Sequence, residues 1–352
     1  MKTLVLKVNA ANPEATKIQV AAEIIKKGGL VAFPTETVYG LGADALNAAA
    51  VLALFEAKRR PLDNPPILHV ADKMEVAPLV NAVPKKAELL MEKFWPGPLT
   101  LIFKHSAKVP SVTTAGLDTV AVRMPKHPVA LALIKASTRP IAAPSANLAG
   151  KPSPTTAQHV YDDLNGRINA IIDGGRTDIG VESTVVDLST DPPILLRPGG
   201  TPFEALEAVL PELILHPFVQ AEKELSLEKT PSPGMRHKHY APKAPVILVE
   251  GNLLDVVVKI KELTEVYRAK GKKVGVLSTD ETKNSYQADT VKSLGNRSNL
   301  ASIAQNLFCQ LRDIDAENVD VIIAESVPSE GLGLAVMNRL RKASGYQIIK
   351  AV

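Results

Sequence analysis

The sequence predicts an α/β protein of two domains, and three observations support this. The chain has 352 residues and 45% hydrophobic content, which exceeds the size at which a single core usually stops growing. Short apolar runs with strand character alternate with helix-length amphipathic stretches along most of it. A polar, proline-containing stretch at 218–244 interrupts this alternation, as a linker does. We therefore expect domains at 1–217 and 245–352.

The first domain is expected to contain one twisted mixed sheet with helices. Strands are predicted at 3–8, Leu30–Phe33, Ile67–Val70, Leu99–Phe103, Val120–Arg123, Ile141–Ala143, Ala170–Asp173, Thr184–Leu188 and Ile194–Leu196. Helices are predicted at Glu14–Lys27, 47–58, 84–94, 127–136 and 156–163. Because turns separate some successive strands and helices separate others, a purely parallel sheet is not expected.

The second domain is expected to be smaller, Rossmann-like and built on a doubly wound parallel sheet. Its strands are predicted at Val246–Val249, Lys273–Leu277 and Val319–Ala324, and its helices run to about Ala269, at 299–313 and near 333–343. The late Gly331-Leu332-Gly333 lacks a third glycine and follows no first strand, so it does not indicate a dinucleotide site.

Composition narrows the classes of function. No apolar run approaches the ~18 residues of a membrane-spanning helix, and the first residues lack a signal-peptide pattern, so a cytoplasmic protein is expected. The single cysteine, Cys309, excludes a disulfide framework and a cysteine-based zinc site, and its helical pattern predicts a core position. A net charge of +4 suits a polyanionic ligand but is too small to indicate bulk nucleic-acid binding.

Lys58-Arg59-Arg60 is the first candidate for chemistry. Cations are favoured at a helix C-terminus, so a basic triplet alone is most simply a solvated last turn. This one runs into the stiff segment 61–66, just before a predicted strand. Long cations on a rigid loop at a strand edge are well placed to bind phosphate oxygens.

Ser145-Ala146-Asn147 follows a predicted buried strand, where ligands gather in α/β sheets, although such a turn is also an ordinary structural feature. Other polar segments adjoin strands in the same way: 34–42, 113–119 leading to Arg123, 180–184 and 196–200. These loops together predict a pocket. They contain no recognisable Ser-His-Asp spacing, nucleophile elbow or metal-ligand cluster, and 237–239 is more simply a loop or phosphate contact than a zinc site.

Several of these segments together resemble one family. Lys58 and Arg60, Ser145 and Asn147, and the segments 33–41 and 95–100 occur in the order seen in the YrdC/Sua5 family. The segment 233–242 resembles the connector of its long, two-domain Sua5 members, and the last third resembles their appended domain. The resemblance therefore covers the whole chain and implies a YrdC-like first domain.

The resemblance implies an L-threonylcarbamoyladenylate synthase, a nucleotidyltransferase that uses ATP, L-threonine and bicarbonate or CO2. Pyrophosphate is released, and the product goes to the machinery that forms t6A at position 37 of tRNA, so tRNA is an indirect partner. Mg2+ is expected to arrive with ATP, with no metal ligands from the protein.

The resemblance also implies roles for individual residues. Those expected to be catalytic are Lys58, Arg60, Ser145 and Asn147. Those expected on the ATP side are Lys58, Arg60, Asn64, Thr119, Ser145, Asn147, Ser153, Arg197 and Tyr240. Those expected on the threonine side are Thr35, His69, Arg123, Ala143 and Ser183. Arg123 is expected to hold the carboxylate in a two-pronged contact, and Tyr240 on the linker to help close the pocket.

Three alternatives stay open at this point. A related domain occurs in the hydrogenase-maturation carbamoyltransferase, but that protein also carries cysteine-rich zinc modules that one cysteine cannot form. An RNA-binding or ribosome-associated module would need aromatic stacking platforms or a concentrated basic face, whereas aromatics make up 4% of the chain. The second domain is a scaffold or a partner-docking element, and most simply a scaffold that stabilises and positions the linker.

Overall fold

The computed structural model describes residues 2–223 and 239–352. They form two compact units, one of residues 2–149 and 153–219 and the other of residues 150–152, 220–223 and 239–352. Most of the expected linker at 218–244 lies outside the described residues, including its proline-containing part at 230–234 and most of the connector-like segment 233–242. No helix in the described residues is both long and apolar enough to cross a membrane.

The first unit is built on a mixed sheet of eleven strands among its described residues. The strands are β1 Leu4–Lys7, β2 Val31–Phe33, β3 Gly40–Asp44, β4 Ile67–His69, β5 Leu99–Lys104, β6 Thr119–Arg123, β7 Ile141–Ala142, β8 Ala170–Asp173, β9 Thr184–Asp187, β10 Ile194–Arg197 and β11 Ile214–Leu215. Their order is β1-β8-β2-β3-β7-β4-β6-β5-β9-β10-β11. The sheet combines parallel and antiparallel pairs, which confirms the expected mixed topology.

Helices cover part of both faces of this sheet. They are α1 Ala15–Lys26, α2 Ala48–Lys58, α3 Lys85–Phe94, α4 Pro128–Ser137, α5 Ala157–Leu164 and α6 Phe203–Glu207. The apolar sides of α1 and α4 pack with Val31 and Phe33 in one core cluster. Those of α2 and α5 pack with Ala32 and Leu41 in another. Since successive residues of a strand point to opposite faces, α1 and α4 lie on one face and α2 and α5 on the other.

Strand register shows which side chains share the face of α1 and α4, which we call the site face. Residues paired across neighbouring strands point to the same side of a sheet. His69 pairs with Ile141 and with Arg123, and Gly40 bridges to Ser145. Across the sheet the site face carries Phe33, Gly40, Ala143, His69, Arg123, Thr119, Thr100 and Arg197.

Strand β3 is absent from the predicted strands, because the sequence predicts a polar loop over the segment 34–42, which contains Gly40-Leu41-Gly42. The structure makes the prediction wrong and gives the reason. A Cβ atom on Gly42 would lie 2.8 Å from Ile141 Cγ2 and 2.9 Å from the Phe33 ring. Glycine here allows neighbouring side chains to pack over the strand instead of breaking it.

The second unit contains a five-stranded, all-parallel sheet among its described residues. Its elements are β12 Val246–Glu250, α7 Leu253–Ala269, β13 Val274–Ser278, β14 Thr290–Ser293, α8 Leu300–Ala316, β15 Val321–Glu325, α9 Leu332–Ala343 and β16 Ile348–Lys350. The order is β14-β13-β15-β12-β16. From β12 to β13, through α7, the chain moves toward the β14 edge of the sheet. From β14 to β15 through α8, and from β15 to β16 through α9, it moves toward the β16 edge. Right-handed crossovers then put α7 and the other two helices on opposite faces, which confirms the doubly wound fold.

Two expectations for the second unit were wrong. The edge strands β14 and β16 were not predicted, because each is only four or three residues long and partly exposed. Cys309 is half-buried on α8 rather than in the core, and its Sγ lies 3.4 Å from Asp313 Oδ2. The helical pattern was right, but Cys309 sits at the margin of the buried stripe formed by Leu307, Phe308 and Leu311.

Helix α2 offers a matched test of the core. Leu54 is fully buried against the sheet, whereas Leu52 on the same helix is 48% exposed. We predict that Leu54→Ala lowers the free energy of unfolding of the first unit by about 2–5 kcal/mol, whereas Leu52→Ala changes it by less than about 0.5 kcal/mol. Urea denaturation followed by circular dichroism measures both, and equal effects would contradict this packing.

Candidate active site

Lys58 joins the end of α2 to the loop after β7. Its side chain is buried, and its Nζ donates hydrogen bonds to the backbone carbonyls of Ser145 and Asn147. Burial lowers the pKa of Lys58 well below its usual value; the nearby Arg60 charge lowers the pKa further and Asp163 opposes this. An ammonium group has three N–H bonds, and these carbonyls take two. Lys58 is thus a loop anchor, and in its ammonium form one N–H has no partner among the described residues and can bond a ligand.

The loop after β7 is held in place by its own side chains and by the loop after β2. Ser145 Oγ donates to Asn147 Oδ1 at 2.5 Å, and Asn147 Nδ2 donates to the Leu148 carbonyl at 2.7 Å. The Ala146 amide donates to the Tyr39 carbonyl at 2.8 Å. Ser145 and Asn147 are therefore brought beside Lys58.

Arg60 braces the stiff loop that follows α2. Arg59 caps the helix with a φ of 52°, which turns the chain out of the helix. Arg60 is half-buried, its Nε donates to the Asn64 carbonyl at 3.0 Å and its Nη2 to the Pro65 carbonyl at 3.3 Å. Asn64 is buried, and its Oδ1 has no hydrogen-bond partner within the described residues. A buried amide oxygen without a partner is open to a ligand donor.

Arg123 occupies the middle of the site face and is 3% exposed. Its Nε donates to the Gly97 carbonyl at 3.2 Å and its Nη1 to Thr37 Oγ1 at 2.9 Å. Its Nη2 lies 2.7 Å from Glu36 Oε2. Arg123 is thus already engaged on three sides, so the expected two-pronged contact with a carboxylate requires a rearrangement of these contacts.

Thr35 lies next to this group and shapes the loop after β2. Its Oγ1 is 2.8 Å from Thr37 Oγ1 and donates to the Val38 carbonyl at 2.7 Å. Both threonines are buried. The loop therefore folds back over the site face and presents a hydroxyl pair beside Arg123.

Ser183 and Arg197 form a second linked group on the same face. Arg197 donates from Nε and Nη2 to the Ser183 carbonyl at 3.1 and 2.9 Å, and from Nη2 to Ser183 Oγ at 3.1 Å. Ser183 Oγ is also 2.7 Å from Thr100 Oγ1. Arg197 is buried, so its charge faces the interior of the site and not solvent.

His69 and Ala143 line the apolar side of this face. The His69 ring stands edge-on to Phe33 with centroids 6.2 Å apart, and its Nδ1 is 3.1 Å from the Ile67 carbonyl. Burial, together with the Arg123 charge, lowers the pKa of His69 to about 3. Its imidazole is therefore neutral near pH 7. Ala143 is 4% exposed and its amide donates to Ile67.

Ser153 and Thr119 complete the predicted positions of the first unit. Ser153 is buried and donates to Glu182 Oε1 at 2.6 Å, which links it to the residue before Ser183. Thr119 is half-buried at the start of β6, opposite Lys104. No hydrogen bond described here ties Thr119 to the Lys58 or Arg123 groups.

Tyr240 belongs to the second unit and is described there alone. Its ring stacks on Phe308 with centroids 5.2 Å apart, and the Arg339 guanidinium lies 5.4 Å from its centroid. It is 5% exposed. The expectation that Tyr240 closes the nucleotide pocket stays a prediction.

Four residues of the site received no role from the sequence. Glu36 and Thr37 contact Arg123, Thr100 contacts Ser183, and Glu182 contacts Ser153. Glu36, Thr37 and Glu182 lie in the polar segments singled out above. The sequence signal that could have identified these residues is a polar residue inside an otherwise apolar segment, since buried polar groups require hydrogen-bond partners.

Comparison with known proteins identifies the family. The Sua5/YciO/YrdC family model, whose description reads "Telomere recombination", matches residues 23–199. The chain belongs to the Sua5/YciO/YrdC family. A second model, described as "Threonylcarbamoyl-AMP synthase, C-terminal domain", matches residues 202–345. The resemblance seen in the sequence is thereby confirmed over both parts of the chain.

Relatives from this family match nearly the full length. A threonylcarbamoyl-AMP synthase of Pyrococcus abyssi is 56% identical over 337 residues, covering 96% of each chain. One of Bacillus subtilis is 52% identical over 338 residues, covering 95% of this chain and 94% of the relative. The crystal structure of P. abyssi Sua5 complexed with L-threonine matches with a TM-score of 0.94 and 54% identity, covering 99% of this chain and 100% of that one.

The buried, neutral His69 makes stability depend on pH. The unfolded-state pKa is about 6.5 and the folded one about 3, so the unfolded chain binds more protons between these values and acid destabilises the fold. We predict a loss of about 2 kcal/mol from this residue between about pH 6.5 and pH 5, at about 1.4 kcal/mol per pH unit. Denaturation of wild type and His69→Gln measures it; identical pH slopes would refute the assignment.

Proposed function

We propose that this protein is an L-threonylcarbamoyladenylate synthase, a nucleotidyltransferase. It converts L-threonine, bicarbonate or CO2, and ATP to threonylcarbamoyl-AMP and pyrophosphate. The observation that carries the proposal is the near-full-length similarity to proteins named threonylcarbamoyl-AMP synthase. The relative whose structure holds L-threonine is similar over 99% of this chain.

The chemistry explains why a site without a triad is sufficient. The threonine nitrogen forms a bond to the carbon of CO2 and loses a proton, which gives a carbamate. A carbamate oxygen then attacks the α-phosphorus of ATP, and the bond to the β-phosphate oxygen breaks to release pyrophosphate. No protein nucleophile is required, so catalysis consists of positioning and charge stabilisation. The buried cations Lys58 and Arg197 suit this task.

The site separates into two parts that fit the two substrates. Lys58, Ser145, Asn147 and Arg60 form the edge group, which we assign to ATP with Asn64, Thr119, Ser153 and Arg197. On the site face, Thr35, His69, Arg123, Ala143 and Ser183 are all buried and offer apolar and hydroxyl groups beside one charged guanidinium, and we assign them to L-threonine. A neutral His69 suits an uncharged side-chain hydroxyl better than an imidazolium, which would repel Arg123.

Mg2+ enters this proposal as a companion of ATP. The carboxylates near the site are already engaged, since Glu36 is ion-paired with Arg123, Glu182 accepts from Ser153 and Asp163 lies near the Lys58 charge. Mg2+ usually keeps several waters and binds through substrate phosphates with few protein oxygens. This donor set fits an ion held by the triphosphate, where it would neutralise charge on the phosphates.

Downstream steps are also proposals. The product is a labile mixed anhydride that must be passed to the machinery that modifies position 37 of tRNA, and tRNA contacts this protein only indirectly. The alternative RNA-binding module is not favoured, because the relatives that match nearly the whole chain are named as synthases. The near balance of 41 basic and 37 acidic residues also gives no strongly basic surface.

The direct test is an assay for the product. We predict that the protein, incubated with ATP, Mg2+, bicarbonate and labelled L-threonine, releases pyrophosphate and forms a labelled threonylcarbamoyl nucleotide. Pyrophosphate release must depend on threonine, because the carbamate is the attacking group. Equal release without threonine, or no release, would show that the proposed function is wrong.

Variants of the buried cations test the roles in the site. Lys58→Ala or Arg197→Ala is expected to lower kcat/KM at least a hundredfold, since each removes a preorganised charge from a water-poor site, an effect on the order of 3 kcal/mol. Lys108→Ala and Arg167→Ala remove exposed cations and serve as matched controls. Thermal unfolding separates the outcomes: inactive but folded variants support the roles, whereas unfolded ones indicate a structural anchor.

A further inference from the structure

We propose that Glu36 binds the amino group of the amino-acid substrate, beside Arg123, which binds its carboxylate. This inference rests on the proposed function and adds a residue to it. It makes the Glu36–Arg123 pair a receptor for a zwitterionic α-amino acid. Nothing in the motif spacing assigns Glu36 such a role.

The Glu36 carboxylate is held firmly inside the first unit. The residue is 4% exposed. Its Oε1 accepts a hydrogen bond from the Lys126 amide at 2.9 Å, and its backbone carbonyl accepts one from the Ile179 amide at 2.8 Å. One carboxylate oxygen is therefore fixed by the chain, and the other is directed at Arg123.

The contact between Glu36 and Arg123 is close but incomplete. Glu36 Oε2 and Arg123 Nη2 lie 2.7 Å apart, with side chains 6% and 4% exposed. Even so, neither atom makes a hydrogen bond of good geometry within the described residues. The pair is therefore joined by charge and not by a well-aligned hydrogen bond, so a lone pair of Glu36 Oε2 and an N–H of Arg123 Nη2 can still bond a ligand.

An α-amino acid supplies the two groups that these atoms lack. Its ammonium or amine N–H donates to Glu36 Oε2, and its carboxylate accepts from Arg123 Nη2. The other Arg123 donors stay on the Gly97 carbonyl and Thr37 Oγ1, so the carboxylate is held by Nη2 alone, a one-donor contact in place of the expected two-pronged one. Thr35 and Thr37 add hydroxyls next to the same point. The charges of ligand and pair balance, which a simple carboxylate would not achieve.

This arrangement also gives selectivity. A ligand that has the carboxylate and the hydroxyl of threonine but no nitrogen would leave Glu36 Oε2 with its ion-pair contact to Arg123 alone, while competing for that same guanidinium. Sites built to bond a substrate N–H reject analogues that lack it, because the protein group is then left unpaired. 3-Hydroxybutyrate is that analogue, since it is threonine without the amino group.

The experiment measures the affinity of two ligands for three proteins. L-Threonine and 3-hydroxybutyrate are titrated calorimetrically into wild type, Glu36→Gln and the control Glu92→Gln, which changes an exposed glutamate on α3. We expect Glu36→Gln to weaken L-threonine binding at least tenfold, as for a hydrogen bond to a charged group. Binding of 3-hydroxybutyrate should not weaken in this variant, and Glu92→Gln should match wild type for both ligands.

Other outcomes separate the inference from the function beneath it. Equal weakening of both ligands in folded Glu36→Gln would mean that Glu36 acts only through Arg123, and tighter threonine binding would mean that it only competes for Arg123; either overturns the inference alone. Absence of threonine binding by wild type overturns the proposed function as well. If Glu36→Gln does not fold, Glu36→Asp replaces it: a shorter carboxylate should bind threonine more weakly than wild type while still preferring it to 3-hydroxybutyrate.

Discussion

The burial of the Arg123 guanidinium is the constraint on which the first unit's site depends. A buried charge must be paired and hydrogen-bonded to be tolerated. The partners of Arg123 come from two separate segments, the turn at Gly97 and the loop that carries Glu36 and Thr37. That requirement draws the loop after β2 across the sheet. It converts a surface connection into the wall of a polar, water-poor site.

The site residues meet because they share a face of the sheet and not because they share an edge. Strands β2 and β7 run in one direction, whereas β6 and β10 run in the other. Polar residues at the ends of these strands therefore start from opposite edges. Register places His69, Arg123 and Arg197 on the site face, and the loop after β2 links that face to the Lys58 edge. In a parallel sheet the binding crevice lies at the carboxyl ends of the strands. In this mixed sheet the site residues gather on one face instead.

Much of the architecture could be predicted because it follows from local patterns. Most buried strands and amphipathic helices of the first unit occur where alternation and helical period placed them. Lys58, Ser145 and Asn147, which the sequence singled out as separate motifs, lie in contact. Strand β3 could not be predicted, because its glycines are explained only by side chains that are distant in sequence.

The limits of sequence prediction in the site have the same origin. Glu36 and Arg123 are 87 positions apart, and Thr100 and Ser183 are 83 positions apart; their contacts depend on tertiary structure. Lys58 shows a further limit, since the sequence indicated a phosphate-binding cation and the structure shows one that first anchors a loop. A buried cation can do both, because two of its three donors hold the protein and one is left for ligand.

The most direct test of the central claim is the affinity of L-threonine for wild type and for Arg123→Lys, measured by calorimetry with thermal unfolding as the folding control. Lysine keeps the charge but loses the planar set of donors that reaches Gly97, Thr37 and Glu36 at once. A folded variant with at least about tenfold weaker binding, or about 1.4 kcal/mol, is the predicted result. Unchanged affinity in the folded variant would contradict the view that the Arg123 guanidinium organises this site.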